Sequence, residues 1–191
     1  MSREPAALQI KVTLEGIRPP IWRRLVVHGD ATLAQLHVVL QVAMGWGDCH
    51  LHCFRIGGAR YGPTDHGGLD MGEVDESKVR VAGVLAMGER GIYEYDFGDS
   101  WEHQLLVEKA DAPIAPIGLA TCTAGKRSCP PEDCGGFWGY ANLLEAIADP
   151  GHEEHEELLE WLGEDFDPER FDKDAVNAVL ERMPLKSRRA R

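Results

Sequence analysis

No stretch of the 191 residues approaches the roughly 18 consecutive apolar side chains that a membrane-spanning helix requires, and Met1-Ser2-Arg3-Glu4-Pro5 carries no apolar segment of a secretory signal. A cytoplasmic location with no membrane partner is the expectation. Cysteine is sparse and odd in number: Cys49, Cys53, Cys122, Cys129 and Cys134. An odd set closes no disulfide framework, so thiols or metal ligands are the two readings. There is no Cys-x-x-Cys knuckle and no internal repeat. Positive charge is also short, with 20 Lys and Arg against 32 Asp and Glu and a formal net of −12. The imbalance is local, because twelve carboxylates between Asp149 and Asp174 face only Arg170 and Lys173. Net charge therefore describes one region and leaves nucleic-acid binding elsewhere undecided.

Complete catalytic signatures are missing as well. Gly125-Lys126-Arg127-Ser128 misses the spacing of a phosphate-binding loop, and Gly135-Gly136-x-x-Gly139 follows no expected strand. His152-Glu-Glu-His155 is one residue short of the zinc-protease pattern, so its histidines do not share a helical face and read as a solvated surface.

What is present is an ordinary globular composition, 43% hydrophobic and 27% charged. The length suits one domain, expected over 7–183: a sheet part at 7–110, a Pro- and Cys-rich loop at 111–139, and an acidic helical part at 140–183. A basic tail at 184–191 reads as a frayed terminus. Leu8, Ile10, Val12 and Leu14 alternate with polar residues, the period of a half-buried strand, and Gly16 with Pro19-Pro20 breaks it. Ile21 to His28 is β-branched and is expected to pair back as a hairpin, with Arg23 and Arg24 on opposite faces. Thr32 and Gln35 form a capping box ahead of Leu33, Leu36, Val39, Leu40 and Ala43, a helical spacing that ends at Gly45. A strand around His50 to Ile56 completes a strand-strand-helix-strand order like that of a β-grasp sheet.

Tyr61 to Glu73 reads as a long loop and Val79 to Leu85 as one helical turn. Residues 92–109 form a hairpin about Gly98-Asp99-Ser100. Asp111 to Gly139 is expected to be irregular backbone, followed by helices at Tyr140–Ala148, Glu153–Leu162 and Lys173–Met183, docked by Trp161 and Phe166. The fold class is α+β, a mixed or antiparallel sheet with C-terminal helices.

Five separated segments then carry a resemblance: Arg18-Pro-Pro-Ile-Trp-Arg-Arg24; Met44-Gly-Trp46; His50-Leu-His52; Tyr95-Asp-Phe-Gly-Asp-Ser-Trp-Glu-His103; and Cys129-Pro-Pro-Glu-Asp-Cys-Gly-Gly136 with Gly139-Tyr140. Together, from about residue 7 to about residue 180, they resemble the plasmid pRiA4b ORF-3-like family. The resemblance implies an α+β fold in a bacterial and archaeal group of unestablished biochemical function, found on plasmids and insertion elements as well as in chromosomes. Some members are labelled transposon-passenger resolvases. Recombinase chemistry finds no support here: none of Ser2, Ser77, Ser100 and Ser128 sits among several arginines, and Ser187 lies in the basic tail that reads as a frayed terminus. His52-Cys-Phe-Arg55 matches His-x-x-Arg at a frequency expected by chance.

Candidate chemistry concentrates in two segments. Asp96, Asp99 and His103 offer carboxylates and an imidazole around a tight turn, for a cation or for acid-base work, and Glu132 and Asp133 extend this to a hard cation. The competing reading is turn chemistry, with Tyr95 and Trp101 packed in the sheet and the two acids favouring a helix start. Cys122, Cys129 and Cys134 with His103 or His50 have the donor types of a zinc site, against a reading as small buried hydrophobes. Arg23, Arg24, Tyr95, Trp101 and Tyr140 are the binding candidates, and Arg18, Arg55 and Arg60 would extend the arginines toward a nucleic-acid backbone. That reading is not favoured, because no recognition helix is evident. The leading expectation is a non-catalytic interaction module with a protein partner, an accessory of mobile elements. A metal-dependent hydrolase or phosphoryl-transfer enzyme competes with it.

Overall fold

The computed structural model describes residues 6–64, 72–112, 118–163 and 166–185. Its strands are β1 (Ala7–Leu14), β2 (Trp22–His28), β3 (His52–Ile56), β4 (Ala59–Gly62), β5 (Val74–Asp75), β6 (Arg90–Tyr95), β7 (Trp101–Ala110) and β8 (Ala120–Lys126). Its helices are α1 (Leu33–Met44), α2 (Val81–Val84), α3 (Gly136–Ala148), α4 (His155–Leu162) and α5 (Lys173–Leu180). The strands form one sheet in the order β5-β4-β3-β6-β7-β1-β2-β8. It is mixed, because β4 and β5 are parallel and the other pairs antiparallel.

The alternation in β1 buries Leu8, Ile10, Val12 and Leu14 on one face, and β2 returns beside it with Leu8 opposite Val27. Against that face α1 buries Leu33, Leu36, Val39, Leu40 and Ala43, each large side chain contributing about 2 kcal/mol of transfer free energy. Both bonds of the Thr32–Gln35 capping box are formed, and Gly45 ends the helix in the left-handed region. The strand-strand-helix-strand order is present, and β3 joins the sheet beside β6, with β6 and β7 between it and β1.

Two expectations need correction. The segment read as irregular at 111–139 contains β8, which pairs with β2 and extends the sheet. Its Ala-Thr-Cys-Thr-Ala-Gly-Lys composition is short of the large β-branched side chains that announce a strand. Asn177 of α5 covers its outer edge, accepting from the Cys122 amide at 2.7 Å and donating to the Cys122 carbonyl at 2.9 Å. Gly57-Gly58 turns β3 into β4, so the long loop begins later than expected, and its residues 65–71 lie outside the described set. Phe166 packs on the core as expected, together with Leu158, Leu162 and Phe171, whereas Trp161 stays half exposed.

The sheet also decides the arginines. Arg23 is only 2% exposed, and its guanidinium donates to the carbonyls of Ala43, Trp22 and Lys126. Arg24 emerges on the opposite face and pairs with Glu108, Arg55 pairs with Glu94 and Glu102, and Arg60 with Glu73. Of the five candidate arginines one is interior, three are matched by carboxylates and Arg18 is exposed, so the described residues assemble no joint basic face.

Candidate functional site

Antiparallel pairing of His52 with Tyr95 places the start of β3 and the end of β6 side by side. Three loops therefore meet at this end of the sheet: 45–51 before β3, 96–100 between β6 and β7, and 127–135 before α3. Trp46 joins the first to the third, its indole Nε1 donating to the Pro130 carbonyl at 2.9 Å and its ring stacking on Tyr95 at 4.9 Å. Asp99 joins the second to the third by accepting from the Gly135 amide at 3.2 Å. A Cβ at Gly136 would lie 2.8 Å from the Asp99 carbonyl oxygen, and one at Gly139 would lie 1.8 Å from that of Cys134. Glycine lets the first turn of α3 close onto both loops. Asp48, Asp96 and Asp133, one from each loop, have φ near +57°, a region aspartate tolerates and that recurs where backbone is held for function.

At the junction three carboxylates surround one imidazole. His50 Nε2 lies 3.2 Å from Asp133 Oδ1, 3.7 Å from Asp96 Oδ2 and 3.8 Å from Glu132 Oε2. None of these contacts has hydrogen-bond geometry, and Nε2 has neither solvent access nor another partner. Each of Asp96 and Glu132 is tethered by its other oxygen. Asp96 Oδ1 accepts from the Gly98 amide at 2.9 Å, and Glu132 Oε1 accepts from the Gly47 amide at 2.8 Å and the Tyr95 hydroxyl at 3.1 Å. Burial, with the Glu132 carboxylate beside it, pushes the Tyr95 phenol up to about 12, so it remains a donor at neutral pH. Ligands held about 2.1 Å from a first-row cation stand roughly 3.0–3.5 Å from one another. The Asp133 contact is of that size, the Asp96 and Glu132 contacts are somewhat longer, and His50, Asp96 and Asp133 present donor atoms that lie within 4.8 Å of one another.

A second polar cluster lies beneath the first loop. His37 and His52 stack with ring centroids 3.5 Å apart, and their Nε2 atoms contact Asp48 at 2.8 Å and Glu76 at 3.0 Å. Parallel stacked imidazoles direct their in-plane lone pairs side by side and not toward a shared point, so this set suits hydrogen bonding better than a cation.

Of the catalytic candidates, Asp96, Glu132 and Asp133 converge, while Asp99 and His103 do not. Asp99 holds the start of α3. His103 is fully buried on β7, donates from Nδ1 to the Tyr93 carbonyl at 3.2 Å, and has its pKa lowered to about 4 by burial. The zinc candidates are dispersed. Cys129 contacts Met44 Sδ and Arg23, Cys122 contacts the Ala124 carbonyl, and among the described residues the cysteines join no cluster of three ligands. Burial pushes the Cys129 thiol up to about 11 and the Cys134 thiol up to about 12, away from the thiolate a metal needs. Of the binding candidates Arg23, Tyr95, Trp101 and Tyr140 are buried, and Tyr95 and Trp101 stack on Trp46. His50 is the residue that sequence reasoning underweighted. In the sequence it stands only as a possible zinc ligand on a strand expected from His50, but β3 begins at His52 and His50 turns into the loop cluster.

Two grooves lie elsewhere, about 800 Å³ between α1 and the C-terminal segment and about 520 Å³ beside α5. Neither is lined by a residue of the His50 cluster, and neither assembles a convergent ligand set; chemistry, not volume, singles out the loop junction.

Residues 6–175 match the family model described as plasmid pRiA4b ORF-3-like protein. The uncharacterised protein y4hQ of Sinorhizobium fredii is 38% identical over 190 residues, covering 97% of each chain. The crystal structure of MM3350 from Methanosarcina mazei, a protein of unknown function, is similar at a TM-score of 0.80 and 37% identity, over 88% of this chain and 96% of that one.

Proposed function

We propose that this chain, which belongs to the plasmid pRiA4b ORF-3-like family, is a metal-dependent hydrolase with its centre at His50, Asp96, Glu132 and Asp133. The observation that supports it is the orphaned, buried Nε2 of His50 facing three carboxylates drawn from separate segments of the chain. A lone nitrogen cannot satisfy three anions by hydrogen bonding, whereas a divalent cation among them neutralises the acids and gives the nitrogen a partner. The mixture of one imidazole with carboxylates suits Mn²⁺, Fe²⁺ or Zn²⁺.

His50, Asp96 and Asp133 are the ligands in this reading. A bound divalent ion supplies Lewis acidity and lowers the pKa of a water to about 7. Glu132 has Oε1 held by the Gly47 amide and the Tyr95 hydroxyl, and Oε2, 3.4 Å from that hydroxyl, lies 3.8 Å from His50 Nε2, a carboxylate placed to serve as general base. It takes the proton as the water oxygen attacks an acyl carbon, and returns a proton to the leaving group as the acyl bond breaks. Two ligand carboxylates balance a divalent ion and Glu132 leaves a net negative centre. That charge favours a neutral acyl bond over a phosphate ester and sets phosphoryl transfer aside.

The test is hydrolysis of an amide and ester panel by Mn²⁺- or Zn²⁺-loaded protein. Glu132→Gln is expected to keep the metal and lose at least about a hundredfold in kcat. Loaded protein inert toward the whole panel would return the chain to the class of non-catalytic binding modules.

A further inference from the structure

Large apolar side chains scattered singly over a surface need no explanation, but a group of them around one charged centre does. Leu51 is 51% exposed, Phe97 36%, Phe137 40% and Trp138 80%. Leu51 and Phe97 directly follow His50 and Asp96, and the Leu51 carbonyl accepts from the Asp96 amide at 2.9 Å. Phe137 and Trp138 open α3 just after Asp133, their rings meeting edge-on at 5.0 Å, and the contact of Gly136 with Asp99 sets that helix start against the turn carrying Phe97. The segments that carry the acids thus also carry exposed aliphatic and aromatic side chains.

The charge of the centre decides what such a rim takes. Among the described residues no Lys or Arg pairs with Asp96, Glu132 or Asp133, so a divalent ion does not cancel the three. Aromatic faces add a further preference for cations, and an exposed indole is the strongest of them. An anionic ligand meets repulsion here, and a neutral apolar one gains from the rim alone.

We infer that the substrate of this centre is an amide or ester that also carries an ammonium group on a small apolar body, the ammonium facing the acids and the body lying on Phe97 and Trp138. The inference rests on the metal-centre reading for its chemistry but has its own readout.

The test compares three probes of one shape and different charge, benzylamine, benzyl alcohol and benzyl phosphate, titrated calorimetrically at pH 7 into Mn²⁺-treated protein whose metal content is measured on the same sample. Benzylamine is expected to bind about tenfold more tightly than benzyl alcohol, with benzyl phosphate weakest, and Trp138→Ala is expected to remove most of the gain without changing metal content. Equal binding of the amine and the alcohol, as a surface for an apolar protein partner would give, overturns the inference; so does tighter binding of the phosphate. Protein that takes up no metal yet selects the amine keeps the ammonium site and removes the metal centre. Protein that holds metal and shows no preference does the reverse.

Discussion

His37 Nε2 and Asp48 Oδ1 lie 2.8 Å apart, and their contact closes a ring of four hydrogen bonds. Gln41 Nε2 donates to the Tyr93 hydroxyl at 2.9 Å, that hydroxyl donates to His37 Nδ1 at 2.8 Å, His37 donates to Asp48, and the Asp48 amide donates to Gln41 Oε1 at 2.9 Å. The direction of donation requires a neutral His37. Burial, and next the stacked His52, lower its pKa and keep it so. The ring anchors the loop that presents His50 two residues later. Tyr93→Phe deletes the hydroxyl shared by two partners and is expected to cost about 1–3 kcal/mol in urea unfolding, with weaker metal binding as the loop loosens. A cost below about 0.5 kcal/mol would show that the ring does not hold the loop.

His103 makes stability depend on pH. Its pKa falls from 6.5 to about 4 on burial, so between those values the unfolded chain takes up a proton that the folded chain refuses. Its contribution is therefore full above pH 6.5 and is lost as pH falls toward 4, by about 2 kcal/mol at pH 5. His103→Gln keeps a donor for the Tyr93 carbonyl and removes the titration. Urea midpoints at pH 7 and pH 5 should separate more widely for the wild type than for this variant; equal separation would contradict the assignment.

Arg23 is a structural cation. Arg23→Ala would strand the Ala43 carbonyl in the interior, take a partner from the Lys126 carbonyl and remove the guanidinium stacked 3.9 Å from the Phe171 ring. The expected loss is about 2–4 kcal/mol, read by denaturant unfolding. Wild-type protein should give no salt-sensitive shift of duplex DNA even at low ionic strength, since the arginines form no common face. A shift abolished by Arg24→Ala would reopen the nucleic-acid reading.

Much of the fold could be read from residue order because local signals and tertiary packing agree: the alternation of β1, the Thr32–Gln35 cap, and the tight turn at 98–100. Where they disagree the sequence was silent. β8 is a strand because the β2 edge is there to receive it, not because Ala120 to Lys126 favour extension. The same holds at the site. Asp96, Glu132 and Asp133 stand out as acids beside turns, but their common neighbour is His50, which precedes Asp133 by more than eighty residues. Spacing along the chain also suggested Asp99 and His103 as a pair. The hairpin sends one to the helix start and the other into the core.

Metal analysis tests the central claim most directly. Protein purified without an affinity metal column and dialysed against Mn²⁺ or Zn²⁺ should hold about one equivalent by elemental analysis. The metal should be lost in His50→Ala and in Asp96→Asn, and retained in Cys129→Ala. Metal absent from the wild type, or lost with Cys129 and kept without His50, would contradict a centre built on that imidazole.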